Sequence, residues 1–164
     1  MGRVKKKFCE WLERYQHERQ SMKRMEQVVV EIKELSLNEA KRRARILLEN
    51  PDKFRCVKNI AATRLEYQLS ESLQEFFNTY EAVEAISGEA RVSRNLIDHS
   101  DYIKGLLRIG TDVDFTEIAV RPFEDSIYQI DGSEIGSEDF RASEIPSIYH
   151  WVLVTDEVLY GGEP

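Results

Sequence analysis

The 164-residue chain is 41% hydrophobic and 32% charged, with 23 Lys/Arg against 30 Asp/Glu and a net charge of −7. That length suits one domain with an appendage and buries a core without disulfide or metal staples. Cys9 and Cys56 are too few for a disulfide framework, and no apolar run approaches the roughly 20 residues that span a bilayer.

The basic start, Arg3 to Lys7, runs into Cys9-Glu10-Trp11 and not into the apolar core of a signal peptide, so a cytoplasmic protein with free thiols is expected. Between Arg3 and Asn50 there is neither Gly nor Pro, which favours helix. Phe8, Trp11, Tyr15, Met22, Met25, Val29 and Ile32 follow a seven-residue repeat, with Glu18 its one polar member. That spacing places them on one stripe of a helix running from about Lys5 to Leu35. Ser36-Leu-Asn-Glu39 has capping-box spacing, and Leu37, Ala40, Ala44, Leu47 and Leu48 continue a second helical face until Pro51 ends it. Residues 1–50 therefore read as a helical hairpin whose stripe is expected to be covered within the molecule. A homodimer through the same helices is the alternative. Lys41-Arg42-Arg43 with Arg45 is a basic patch without interleaved aromatics, read as a solvated face and not as a nucleic-acid site.

Residues 51–58 read as a connector and 59–164 as an α+β domain. Asn59 is placed as the cap of a helix through Ala61, Ala62, Leu65 and Leu69, and Ser70 or Ser72 as the cap of another carrying Leu73, Phe76, Phe77 and Tyr80. Ala82–Ser87 suggests a strand, and His99-Ser-Asp101 a turn. Three strands follow, at Leu106–Ile109, Thr116–Val120 and Ser126–Ile130, with Gly110 and Gly132 as turn glycines. After a Gly/Ser/acid-rich loop, Ser143 is expected to cap a last helix with Pro146 in its first turn and Gly161-Gly162 at its end.

Charge is uneven along this order. Residues 1–50 carry 13 Lys/Arg against 8 Asp/Glu, and residues 101–164 carry 4 against 14. A strongly acidic second half suits steering of a basic partner, or solubility alone.

Candidate chemistry is sparse. Asp112 and Asp114 imitate the start of a calcium loop, but its sixth and twelfth positions are Glu117 and Phe123 where Gly and Glu are needed. A divalent-metal enzyme built on these two carboxylates is the weakest reading. His17, His99 and His150 show no spacing for zinc or for a Cys–His pair, and no glycine-rich phosphate loop is present. No catalytic residue, metal site or cofactor is expected.

Two stretches carry a resemblance to a known family. Ala62 to Tyr80 is similar to the opening helices of the SUKH superfamily, which includes bacterial immunity proteins and fungal cell-wall-synthesis regulators. Ile109-Gly-Thr-Asp-Val-Asp-Phe-Thr-Glu-Ile-Ala-Val, with Ser126-Ile-Tyr-Gln-Ile-Asp131, resembles its strand pattern of Ile-Gly, acidic turn, strand, turn and strand ending in acid. Ser70 stands where the family has proline, and Glu81-Ala82 replaces an Asn-Gly-Gly-like turn. The likeness starts near residue 59. It implies a curved antiparallel or mixed sheet with helices on one face, and a non-catalytic, immunity-type protein that blocks a cognate toxin such as a basic nuclease. The contact residues expected on this basis are the acids of the strand turns, Asp112, Asp114, Glu117, Glu124 and Asp125. With no spanning apolar run and the basic patch read as a solvated face, no direct contact with nucleic acid or membrane is expected. The alternative function is a structural or regulatory protein acting through its N-terminal helices.

Overall fold

The computed structural model describes residues 2–60, 65, 67–99, 105–113, 116–131 and 142–161. Helix α1 spans Gly2–Lys33, as an unbroken run of helix formers dictates, and ends in a tightened turn where the Leu35 amide donates to the Ile32 carbonyl at 3.0 Å. Ser36 then caps helix α2, Leu37–Leu48, its hydroxyl accepting from the Glu39 amide at 3.2 Å. Only half of the expected capping box forms. The Glu39 carboxylate turns outward to Arg42 and Arg43, which hold its pKa at about 2.

The stretch expected as a connector contains a strand, β1 (Phe54–Lys58), which pairs antiparallel with β2 (Tyr80–Ala85). Phe54 is buried and Cys56 half-buried while Arg55 and Val57 face outward, an alternation too short and too polar to stand out in the sequence. Asn59 continues this edge, its amide donating to the Thr79 carbonyl. Of the helix expected to follow Asn59, Ala61 and Ala62 lie outside the described residues, and Leu69 is not helical. Helix α3, Glu71–Thr79, is capped by Ser70 and buries Leu73, Phe76 and Phe77 as their spacing requires.

The remaining strands are β3 (Arg91–Ser93), β4 (Asp98–His99), β5 (Leu107–Thr111), β6 (Thr116–Val120), β7 (Ile127–Asp131) and β8 (Ala142–Ile145). All described pairings are antiparallel, in the order β1-β2-β3-β5-β6-β7-β8, with β4 beside the start of β5. This is the expected α+β fold. Strand β8 occupies the place assigned to the start of the last helix. That helix, α4 (Ile148–Tyr160), starts beyond Pro146, with Ser147 as its cap, and ends at Gly161 with φ +67°. The turn at His99-Ser-Asp101 and the loop after Asp131 fall largely outside the described residues.

Helix α4 is the hub. Trp151, Val152 and Ile148 are fully buried against the sheet residues Val92, Ile118, Val120, Ile127 and Ile145. Ala40 and Ala44 are small enough for α2 to lie close on α4, and Val28, Val29 and Ile32 bring the end of α1 to the same core. His150 fixes the α1–α2 joint: its Nε2 is 2.8 Å from the Leu35 carbonyl and its Nδ1 2.7 Å from the Ser147 hydroxyl. A carbonyl can only accept, so Nε2 carries a proton and donates to Leu35. The two N-terminal helices are therefore tied to α4, on which both α1 and α2 pack. On the other sheet face, Leu106, Ala119 and Ile130 form a second, smaller buried cluster with Tyr128.

Candidate protein-binding site

The five acidic residues do not form one patch. Asp112 and Glu117 lie at one end of β6, in and beside the β5–β6 connection, while Glu124 and Asp125 follow its other end. Asp114 lies outside the described residues.

Asp112 is an internal anchor. Its Oδ2 accepts from Gln129 Nε2 at 2.7 Å and from Trp151 Nε1 at 3.1 Å, and its Oδ1 from the Val113 amide at 2.8 Å. It thus joins the β5–β6 turn to β7 and α4. Asp112→Ala strands the Trp151 and Gln129 donors and is expected to cost about 2–4 kcal/mol, read as a lowered urea midpoint with an altered Trp151 fluorescence spectrum. Glu117 is partly covered and sits 3.6 Å from Arg108 Nε, an ion pair longer than a hydrogen bond.

The other end is different. The Glu124 amide donates to the Arg121 carbonyl at 3.2 Å, closing a four-residue turn with Pro122 and Phe123 at its centre. Phe123 has φ +73° and is 70% exposed. Proline at the second position and positive φ at the third define a type II turn, whose third residue is ordinarily Gly or Asn. A bulky side chain there is strained, at about 1–2 kcal/mol. The turn is nevertheless held from outside by Ser72 and Tyr128. Ser72 donates to Asp125 Oδ1 at 2.6 Å, Tyr128 donates to Glu124 Oε2 at 2.9 Å, and the Arg121 guanidinium lies 5.4 Å from the Tyr128 ring centroid. The Glu124 hydrogen bond, and after it burial, raises the Tyr128 pKa. A rigid turn therefore holds an exposed aromatic ring between an arginine and two acids. Pro122 was the available sequence signal, but nothing in the sequence shows that Phe123 takes the position reserved for glycine.

Other candidates resolve into structure. Each cation of the basic patch on α2 has a carboxylate partner: Lys41 and Arg45 pair with Glu75, Arg42 and Arg43 with Glu39. Cys56 is half-buried, with Sγ 3.4 Å from the Leu48 carbonyl, and burial pushes its thiol pKa up, away from a nucleophile. Burial likewise pushes the Tyr149 phenol up to about 12. A cavity of about 250 Å³ opens between the β6–β8 end of the sheet and α4, lined by Asp112, Gln129, Thr155 and their neighbours. Among the described residues no three His, Cys, Asp or Glu side chains converge to hold a metal ion, and no helix is long and apolar enough to cross a membrane.

Helix α1 carries the other exposed feature. Residues 4–24 are all exposed, and along them Phe8, Trp11 and Tyr15 stack ring on ring, with centroids 6.1 and 5.5 Å apart. Among the described residues the internal cover expected for this stripe reaches its last positions, the half-buried Met25 and then Val29 and Ile32.

Comparison with protein-family models, with curated proteins and with solved structures finds no match to this chain.

Proposed function

We propose that this protein is a non-catalytic protein-binding module and that the β6–β7 turn, Arg121 to Asp125, is its recognition element. The observation that carries this reading is Phe123: an exposed ring held at a backbone angle that penalises it, in a turn braced by Ser72 and Tyr128. Strain that persists at an exposed position where Asn or Gly would fit better points to a use for the side chain. Exposed aromatics supply large contact area at low entropic cost, and the flanking Glu124 and Asp125 suit a basic partner. The resemblance of residues 59 onward to the SUKH superfamily gives the reading its specific form, an immunity-type protein that blocks a toxin such as a basic nuclease. An acidic surface competes with nucleic acid for such a target. Asp112 and Glu117, engaged internally, are left out of the contact set. The alternative, self-association through the N-terminal helices, uses a separate surface on α1.

One substitution separates a functional residue from a merely tolerated one. Phe123→Asn relieves the turn, because Asn adopts positive φ readily, and is expected to raise the melting temperature by about 2–4 °C. In titration calorimetry against any basic nuclease toxin encoded beside the gene, the unaltered protein is expected to bind one to one. The variant is expected to bind about 30-fold more weakly. Absence of binding to every such toxin, or equal binding by the two proteins, overturns the proposal.

A further inference from the structure

We infer that the free half of α1 pairs with the same helix of a second copy, antiparallel, in a register that places Tyr15 of each chain against Glu18 of the other. The surface is independent of the β6–β7 turn, and the inference stands whether or not that turn binds a partner.

The exposed side chains themselves call for a helical partner. Phe8, Trp11, Tyr15 and Met22 are 60, 57, 49 and 59% exposed, on a stretch that no described residue of its own chain covers. They repeat every three and four residues, a 3.5-residue period that a second helix satisfies and a flat surface does not. Half-exposed rings and a thioether of this size offer on the order of 400 Å² per chain. With the aliphatic stems of flanking Lys and Arg, the total for two chains exceeds about 1,000 Å², the lower bound for a stable interface.

Charge decides the direction. In a parallel pair Glu18 faces Glu18 at a core position, and Arg14 meets Arg19 of the other chain across the flank, so like charges oppose at both places. Antiparallel pairing removes both clashes. Core layers then join positions whose numbers sum to 33, namely Trp11 with Met22 and Tyr15 with Glu18 on the exposed stretch, and Phe8 with the half-buried Met25 at its end. The Tyr15 hydroxyl gives the Glu18 carboxylate a donor within the seam, and on the flank Lys5 meets Glu26 of the opposite chain. Arg14 then lies beside Ser21, and Arg19 beside Leu12. A single polar core position commonly fixes register at some cost in stability, and Glu18 fills that role here.

The full chain supplies its own probe, since Cys9 is exposed on α1. Sedimentation equilibrium is expected to show a dimer with dissociation in the micromolar range, weakened about 100-fold by Trp11→Glu. Because Trp11 is exposed and its ring stacks on Phe8 and Tyr15 of the same helix, that variant is expected to keep the circular dichroism spectrum and urea midpoint of its parent. With a nitroxide on Cys9 in a Cys56→Ser background, the two labels are expected about 25–30 Å apart, against about 15 Å for a parallel pair. A full chain that stays monomeric at about 100 µM, roughly 100 times a micromolar dissociation constant, a Trp11→Glu variant that still dimerises, or labels at the shorter distance each overturn the inference.

Discussion

Gly110→Ala is expected to cost about 4 kcal/mol or more, enough to leave a domain of ordinary stability barely folded. A Cβ at this position would sit 2.0 Å from the Arg91 carbonyl oxygen and 3.0 Å from Val92 Cα, and both are backbone atoms that no side-chain rotation can move aside. Relief requires β3 and β5 to separate, yet their pairing consists of Arg91 with Thr111 and Val92 with Gly110. That contact joins β1-β2-β3 to β5-β6-β7-β8, so the loss is not local to one side chain. Gly105 is the control. It has φ +83° but open space around its missing Cβ, so Gly105→Ala is expected to cost only the left-handed penalty of about 1–2 kcal/mol. Urea unfolding of the two variants tests this directly. Equal midpoints would show that the close approach of β3 and β5 is not what glycine is there to permit.

The same glycine shows where a sequence stops being legible. An isolated Gly after an apolar run reads as a turn, but Gly110 lies inside β5, at a register shift between Arg108 and Gly110 where a neighbouring backbone passes. Local pattern carries no information about a strand nearly twenty residues upstream. Elements with strong internal periodicity were readable: α1 from its heptads, α3 from Leu73, Phe76 and Phe77, and β6 with its boundaries intact. Strands β1 and β8 were not, because each is short, half polar and meaningful only beside β2 or β7. For the candidate sites the limit is similar. The heptads of α1 show that a stripe needs covering and leave open what covers it. Asp112 and Glu124 look alike as turn acids, yet one is claimed by Trp151 and Gln129 from distant segments while the other stands at the surface. Acidic turn residues announce a turn far more reliably than a binding face.

Removing either member of the Lys53–Asp156 pair is expected to destabilise the protein by about 3–5 kcal/mol, while replacing both with apolar residues costs far less than the sum. Lys53 Nζ donates to Asp156 Oδ1 at 2.7 Å, and each side chain is only 8% exposed. Taking both charges out of water is expensive, and their attraction across a short, low-dielectric gap offsets that expense only while both are present. Lys53→Met alone leaves a buried carboxylate without its cation, and Asp156→Leu alone leaves a buried ammonium. The double variant leaves neither, and is expected within about 1–2 kcal/mol of the parent. The pair also matters for geometry. Lys53 leads into β1, with its carbonyl accepting from Ile86, and Asp156 lies in the last turns of α4, so the bond ties the edge of the sheet to the helix that also holds α1 and α2. A double-mutant cycle in urea measures the coupling. Additive single costs would mean that the two charges are solvated independently, and that α4 is held to this edge by packing alone.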